Sequence, residues 1–143
     1  MVYPSSELKV RKVDITKSTN PADTFFVMSD CDSLQIIRMI AEQEDLDKAK
    51  FGSPKCYYSR LSKLRKTMMI KRKGKAYVLS SFGTILYELV ERVRVAGDLH
   101  WKLQAIDSLD HKVPNAERRA IIELLVSDEA VRAILLTTCL PIK

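Results

Sequence analysis

The chain has few of the residues that characterise disordered, fibrous or disulfide-stabilised proteins. It contains only four glycines and five prolines in 143 residues, whereas collagen-like and low-complexity chains are rich in both. Its three cysteines, Cys31, Cys56 and Cys139, are odd in number and widely spaced, which argues against a disulfide framework or a structural zinc site. With 46% hydrophobic and 29% charged residues, the composition predicts one helix-rich globular unit.

Long apolar runs are also missing. The longest, such as the AILL run at residues 133–136, are far too short to cross a bilayer. Residues 1–20 lack the continuous apolar segment of a secretory signal or membrane anchor, and we interpret residues 1–22 as a flexible N-terminal arm. These absences predict a soluble, intracellular protein with no membrane partner.

Patterns that carry catalysis are scarce. There is no glycine-rich phosphate loop, no His-Glu pair at zinc spacing and no local Ser-His-Asp motif. Asp107, Asp110 and His111 could be imagined as a metal site, but amphipathic helix ends and loops often carry such residues. We therefore predict no catalytic residue, no metal and no cofactor, and hence a protein that is not an enzyme.

Acidic residues are absent from one part of the chain. Residues 48–75 contain eleven of the 24 lysines and arginines and no Asp or Glu. The formal net charge of +6 is therefore concentrated in a single segment, with an acidic excess elsewhere. Such a confined positive field attracts a polyanion to one face of a protein.

The first part of this segment has the pattern of a helix over residues 53–66. Ser53 is a good N-cap and Pro54 is favoured at the first helical position. Apolar residues then recur at one-turn spacing, which predicts a buried stripe of Tyr57, Tyr58, Leu61 and Leu64. The opposite, polar and cationic face carries Lys55, Cys56, Ser59, Arg60, Lys63 and Lys66. Cys56, near the helix start and several cations, could be a redox-sensitive thiol, although a passive residue is the simpler interpretation.

The second part, residues 70–79, has the pattern of a β-hairpin. A turn at Lys73–Gly74 separates two short strands, because glycine supplies the positive φ of a tight turn. Period-two alternation turns Ile70, Tyr77 and Leu79 inward. Cations crowd the tip, where like charges repel unless an anion is present; they are Lys71, Arg72, Lys73 and Lys75.

Upstream, Asp30 or Asp32 can cap a helix that is dense in apolar residues between Leu34 and Ile40, and a short helix near residues 46–50 precedes a turn at Phe51–Gly52. This order of helix, short helix, turn, basic helix and basic hairpin resembles a winged helix-turn-helix domain. More narrowly, YYSRLSKLRKTMMIKRKGKAYVLSSFG is similar to the winged-helix transcriptional regulators of archaea, and the resemblance covers about residues 29–96.

The resemblance implies a mainly α fold with a small β-hairpin wing, in which residues 23–80 form the DNA-binding domain and residues 81–143 a C-terminal helical extension. It further implies a cytoplasmic, nucleoid-associated regulator of transcription that binds double-stranded DNA. The groove-facing residues are then expected to be Lys55, Ser59, Arg60 and Lys63. The expected phosphate contacts are Lys66, Lys71, Arg72, Lys73 and Lys75.

The C-terminal extension is rich in amphipathic helical patterns. After a Ser80 cap, a broad apolar stripe runs from Phe82 to Ala96, and Gly97–Asp98 is expected to break this helix. Further helices are expected near residues 100–109, 115–125 and 129–135, and the second of them is expected to bury Ile121, Ile122, Leu124 and Leu125. Their apolar surface favours a homodimer, with a purely intramolecular helical subdomain as the alternative. For the basic face, the alternative to DNA is an acidic protein partner within a larger transcription or nucleic-acid-processing complex, and RNA comes third. The sequence identifies no small-molecule effector.

Overall fold

The computed structural model describes residues 20–109 and 112–138, which form seven α-helices, one 3₁₀ helix and one two-stranded antiparallel sheet. The mainly α fold with a small hairpin is thus confirmed. The elements are α1 Pro21–Met28, α2 Cys31–Ala41, the 3₁₀ helix Lys48–Phe51, α3 Pro54–Lys66, β1 Ile70–Lys73, β2 Ala76–Leu79, α4 Ser81–Asp98, α5 His100–Asp107, α6 Asn115–Leu125 and α7 Glu129–Thr138. Residues 1–19 of the predicted arm lie outside the described residues.

Side-chain caps start the helices around the basic segment. Asp30 caps α2, Ser53 caps α3 and Ser80 caps α4, each by accepting a backbone N–H of the first turn. Helix α1 was not predicted from the sequence. It begins with Asn20 as the cap and Pro21 at the first turn, which is the same cap-and-proline signal that predicted α3.

The hairpin pairs Ile70 with Leu79 and Lys73 with Ala76. Its two-residue turn is Gly74–Lys75, one position later than predicted, and Gly74 has φ of 63°. Lys73 therefore belongs to β1. Glycine is suited to this turn because the left-handed backbone conformation is costly for other residues.

Two helices end in the left-handed conformation without glycine. Gln43 after α2 has φ of 56° and Met68 after α3 has φ of 58°. The Met69 N–H donates to the Leu64 carbonyl and the Met68 N–H to the Arg65 carbonyl, each over 3.0 Å. This is a Schellman motif, in which the position after the cap is usually glycine.

The first hydrophobic core joins α1, α2, α3, the hairpin and the first half of α4. Ile36, Ile37, Leu64 and Met69 are essentially inaccessible to solvent at its centre. Gly83 lets α4 approach the hairpin, since a Cβ at this position would lie 1.9 Å from the Met69 carbonyl oxygen. The Ser80 N–H donates to the same oxygen over 3.0 Å, so the strand end and the helix start are joined at one point.

A second core lies in the C-terminal helices. Ile106, Ile122, Val126 and Val131 are buried there, and Val95 of α4 packs against them. Helix α4 therefore contributes its first half to one core and its second half to the other. The predicted boundary between residues 80 and 81 falls at the start of this shared helix.

Several local predictions are wrong. Helix α4 was expected to break at Gly97–Asp98, but it continues to Asp98 and is capped at Leu99, because one glycine only weakens a packed helix. Leu124 was expected to be buried but is 84% exposed, and Cys31 is exposed at the start of α2. Cys139 lies outside the described residues. Within the described ranges, none of the helices is both long and apolar enough to span a membrane.

Candidate nucleic-acid interface

Helix α3 presents a fixed outward face because its inward side is anchored in the first core. Tyr57, Leu61 and Leu64 are buried. At about 100° per residue, the opposite direction is occupied by side chains that are all exposed: Lys55, Ser59, Ser62, Lys63 and Lys66. The structure thus brings together four of the five α3 residues that the sequence predicted for DNA contact.

The hairpin adds a second exposed cationic surface. Lys71, Arg72, Lys73 and Lys75 are all exposed. Among the described residues, one of these cations has a side-chain hydrogen bond: the Arg72 Nε donates to the Gly74 carbonyl over 3.3 Å, which folds that side chain back on the turn. Helix α3 and β1 are separated by only three residues and are in contact with each other.

Arg60 is the exception among the predicted contacts. Its Nε lies 2.8 Å from Asp30 Oδ2 and its Nη2 lies 2.9 Å from Asp32 Oδ2. Asp30 also accepts hydrogen bonds from the hydroxyl and the backbone N–H of Ser33. The sequence placed Arg60 on the open polar face, but in the structure this guanidinium is held against the start of α2 by two carboxylates.

The pKa values of this cluster are shifted in the directions that ion pairing requires. The pKa of Asp30 is lowered, first by the hydrogen bond from the Ser33 hydroxyl and then by that from Arg60. The pKa of Arg60 is raised, mainly by its hydrogen bond to Asp30. The cluster therefore connects the capped start of α2 to the flank of α3.

Tyr58 was predicted to be buried and is 51% exposed. It lies one residue, or about 100°, from Tyr57 on the helix, and that rotation is enough to leave the core. The two rings meet edge to face with centroids 5.3 Å apart. The Lys48 ammonium donates a hydrogen bond to the Tyr58 hydroxyl. Neither Lys48 nor Tyr58 was among the contact residues predicted from the sequence, although the angular position of Tyr58 on the helix could have indicated its exposure.

Cys56 is exposed in the first turn of α3, as predicted. The Ser53 hydroxyl donates to its Sγ over 3.3 Å. That hydrogen bond is the main cause of a lowered pKa of the thiol, with the Arg60 charge as a smaller cause.

The imagined metal site cannot be assembled from the described residues. Asp107 ends α5, whereas Asp110 and His111 lie outside the described ranges. Among the residues that are described, no group of three His, Cys, Asp or Glu side chains could hold a metal ion.

The basic segment contains few internal counterions. Of its cations, Arg60 alone has a carboxylate within 4.0 Å in the described part of the chain. The remaining positive charges are exposed on α3, the 3₁₀ helix and the hairpin. No protein-family model, curated protein or solved structure matches this chain.

Proposed function

We propose that this protein is a winged helix-turn-helix regulator of transcription that binds double-stranded DNA through α3 and the β1–β2 hairpin. The observation that carries the proposal is the set of exposed cations on these two adjoining elements, none of which has a carboxylate partner among the described residues. Neighbouring cations without a carboxylate partner repel each other, and binding of a polyanion relieves that repulsion.

The two elements have different roles in this proposal. A helix can enter the major groove and present side chains to base edges, so the exposed residues at the centre of α3 are the groove-facing set: Lys55, Ser59 and Lys63. Cations on a hairpin tip contact phosphates, which are the same in every sequence. The proposed phosphate contacts are Lys71, Arg72, Lys73 and Lys75 of the hairpin, together with Lys66 at the end of α3.

Arg60 has a supporting role here. Its guanidinium is bound to Asp30 and Asp32, so a bidentate contact to guanine would require both ion pairs to break. We infer that Arg60 orients α3 relative to α2, and that base recognition rests on its exposed neighbours.

The proposed assembly is a homodimer formed through the C-terminal part of the chain. Every fourth residue along one side of α4 is apolar and exposed: Ile85 at 60%, Leu89 at 54% and Val93 at 72%. Beside this stripe, a groove between α2 and α4 is lined by Leu34, Ile37 and Val90. In a two-fold interface, each copy presents the same surface to the other. The exposed stripe of one copy could therefore pack into the groove of its partner.

Duplex binding is tested by fluorescence anisotropy with a labelled random duplex of about 20 base pairs over a range of salt concentrations. The variant is Lys55→Ala/Lys63→Ala, and the matched control is Lys102→Ala/Lys112→Ala, which removes one charge from α5 and one from the segment between α5 and α6. We expect the α3 variant to bind more weakly and to flatten the slope of log affinity against log salt by about 1.8 units.

The control variant should retain the wild-type salt slope. Equal losses in both variants would mean that the duplex responds to net charge and not to α3, and would contradict the proposal. Transcriptional regulation itself is tested by genome-wide occupancy of the tagged protein, which should give discrete peaks in front of genes rather than uniform coverage.

A further inference from the structure

An open groove runs beside the proposed duplex-binding face. Its walls come from the loop after α2, the 3₁₀ helix, α3, the hairpin and the start of α4, and its volume is about 1060 Å³. Four tyrosines line it, namely Tyr57, Tyr58, Tyr77 and Tyr87. This aromatic groove is large enough for a small organic ring system, since ligand sites commonly range from about 300 to 1,000 Å³.

Tyr58 offers an aromatic surface at the edge of the aromatic groove. The Lys48 Nζ lies 2.5 Å from the Tyr58 hydroxyl and 4.9 Å from the ring centroid. These two distances place the ammonium beyond the hydroxyl end of the ring, so that it orients the ring without covering a face. Of the four tyrosine hydroxyls, only that of Tyr58 has a hydrogen-bond partner among the described residues.

The charges around the aromatic groove are of two kinds. Lys48, Arg72 and Lys75 supply cations, whereas Glu44 and Asp45 supply carboxylates from the loop after α2. Cations bind phosphates, aromatic rings stack on nucleobases, and carboxylates accept hydrogen bonds from exocyclic amino groups such as that of cytosine. An unpaired cytosine nucleotide has all three complementary parts.

We propose that the aromatic groove binds single-stranded DNA, with Tyr58 as the stacking surface for an unpaired base. A duplex cannot use this surface, because its bases are stacked on one another and show only their edges. The inference goes beyond duplex binding and does not depend on it. Arg72 and Lys75 of the hairpin belong both to the aromatic groove and to the proposed duplex contacts, so the two surfaces meet there and could hold an unpaired strand next to a duplex, as at a junction where DNA is opened.

The test uses the full-length protein and a labelled oligodeoxycytidine of about 15 nucleotides. Anisotropy compares the wild type with Tyr58→Ala and Tyr58→Phe, and each variant is also titrated with the random duplex. The matched control is Trp101→Ala, because Trp101 is likewise exposed and has a lysine, Lys102, 5.5 Å from its ring centroid but lies on α5. Irradiation of a bromodeoxyuridine strand with the wild type maps the contacted residue by mass spectrometry.

We expect Tyr58→Ala to lose roughly five- to 150-fold in single-strand affinity, as for one stacked base. Tyr58→Phe keeps the ring and should stay within about twofold of the wild type. Duplex affinity of Tyr58→Ala and both affinities of Trp101→Ala should be unchanged. The cross-link should fall on Tyr58.

The proposal is overturned if the wild type does not bind the single strand, if Tyr58→Ala binds it normally, or if the cross-link forms outside the aromatic groove. Tighter binding of RNA with the equivalent sequence would also reject the assignment to DNA. Failure of duplex binding is a separate result, read from the duplex titrations of the wild type and of the Lys55→Ala/Lys63→Ala variant.

Discussion

At the scale of single residues, Asp30 combines two structural tasks. Its carboxylate caps α2 and also binds Arg60 across to α3. Because Asp30 and Arg60 are 41% and 24% exposed, the ion pair is partly screened and is worth about 1 kcal/mol or less. The cap contributes a further amount of about 1 kcal/mol.

Asp30→Asn separates the two tasks, because asparagine caps a helix nearly as well but cannot form an ion pair. At neutral pH we expect the free energy of unfolding to fall by about 1 kcal/mol. The folded pKa of Asp30 is lowered, so its contribution is complete above the unfolded value of about 3.9 and is lost as the pH falls through the folded pKa. Urea unfolding at several pH values measures this.

The matched control for this comparison is Asp23→Asn, which removes a carboxylate from the first turn of α1 without removing an ion pair observed among the described residues. The free energy of unfolding of Asp23→Asn should differ from that of the wild type by less than that of Asp30→Asn does. If the gap between wild type and Asp30→Asn does not narrow below about pH 4, the charge of Asp30 does not stabilise the fold.

Met68 is a second residue whose conformation has a measurable cost. It is half exposed and holds φ of 58° after α3, where a residue with a Cβ is strained by about 1–2 kcal/mol. Met68→Gly should therefore raise the free energy of unfolding by about 1 kcal/mol, after allowing for the greater freedom of glycine in the unfolded chain.

Met68→Ala is the control for side-chain loss, since alanine keeps the Cβ and should leave stability within about 0.5 kcal/mol of the wild type. Both variants are compared by chemical denaturation. A glycine variant no more stable than the alanine variant would mean that the left-handed conformation of Met68 carries no strain.

At the scale of elements, the hairpin and α3 are expected to respond differently to mutation. Arg72→Ala/Lys73→Ala removes two phosphate contacts in the proposed function, so it should weaken every duplex by a similar factor. The slope of log affinity against log salt should flatten by about 1 to 2 units. Titration of the preferred site and of random DNA at several salt concentrations provides the measurement.

Ser59→Ala is the complementary change, because it removes a groove-facing hydroxyl and no charge. We expect it to weaken the preferred site more than random DNA while leaving the salt slope unchanged. An unchanged salt slope in Arg72→Ala/Lys73→Ala would instead remove the hairpin from the duplex interface.

At the scale of the whole molecule, two cores share one helix. Leu86 of α4 belongs to the first core, while Val95 packs against the second. Arg92 adds a link near the second core, with its Nη1 3.8 Å from Asp128 Oδ1 at the start of α7. The exposed stripe of Ile85, Leu89 and Val93 lies along the same helix, so an interface there would connect two DNA-binding units through a rigid element.

If the chain forms the proposed homodimer, sedimentation at micromolar concentration should give a mass of about twice 16.3 kDa. Leu89→Glu/Val93→Glu should give a folded monomer, because both side chains are exposed within one chain and charge is unfavourable only in the interface. The monomer should lose specific affinity and keep weak, salt-sensitive binding, since one recognition helix reads only a few base pairs.

Asp98→Ala is the control and should remain dimeric, because Asp98 lies about 180° around α4 from Leu89 and its side chain is 70% exposed. A wild-type protein that sediments as a monomer, both free and bound to its preferred DNA, would contradict the homodimer. The exposed stripe would then be a surface for a different protein.

The sequence by itself determined the elements whose signals are local. Ser53 with Pro54, and the caps Asp30 and Ser80, start their helices through contacts within one turn, and the hairpin needed only two short strands and a glycine. The mainly α class and the concentration of exposed cations in residues 48–75 follow from the same local patterns, which is why they were predictable.

The tertiary structure decided what depends on distant neighbours. Arg60 is bound because α2 brings Asp30 close, thirty positions earlier in the chain. Tyr58 is exposed because the elements packed against α3 cover the side of the helix that carries Tyr57 but not the side that carries Tyr58. The aromatic groove exists only where the loop after α2, α3 and the hairpin converge. Helical periodicity gives the direction in which a side chain leaves the helix axis. Whether that side chain is buried or ion-paired depends on which residues of other elements lie next to it.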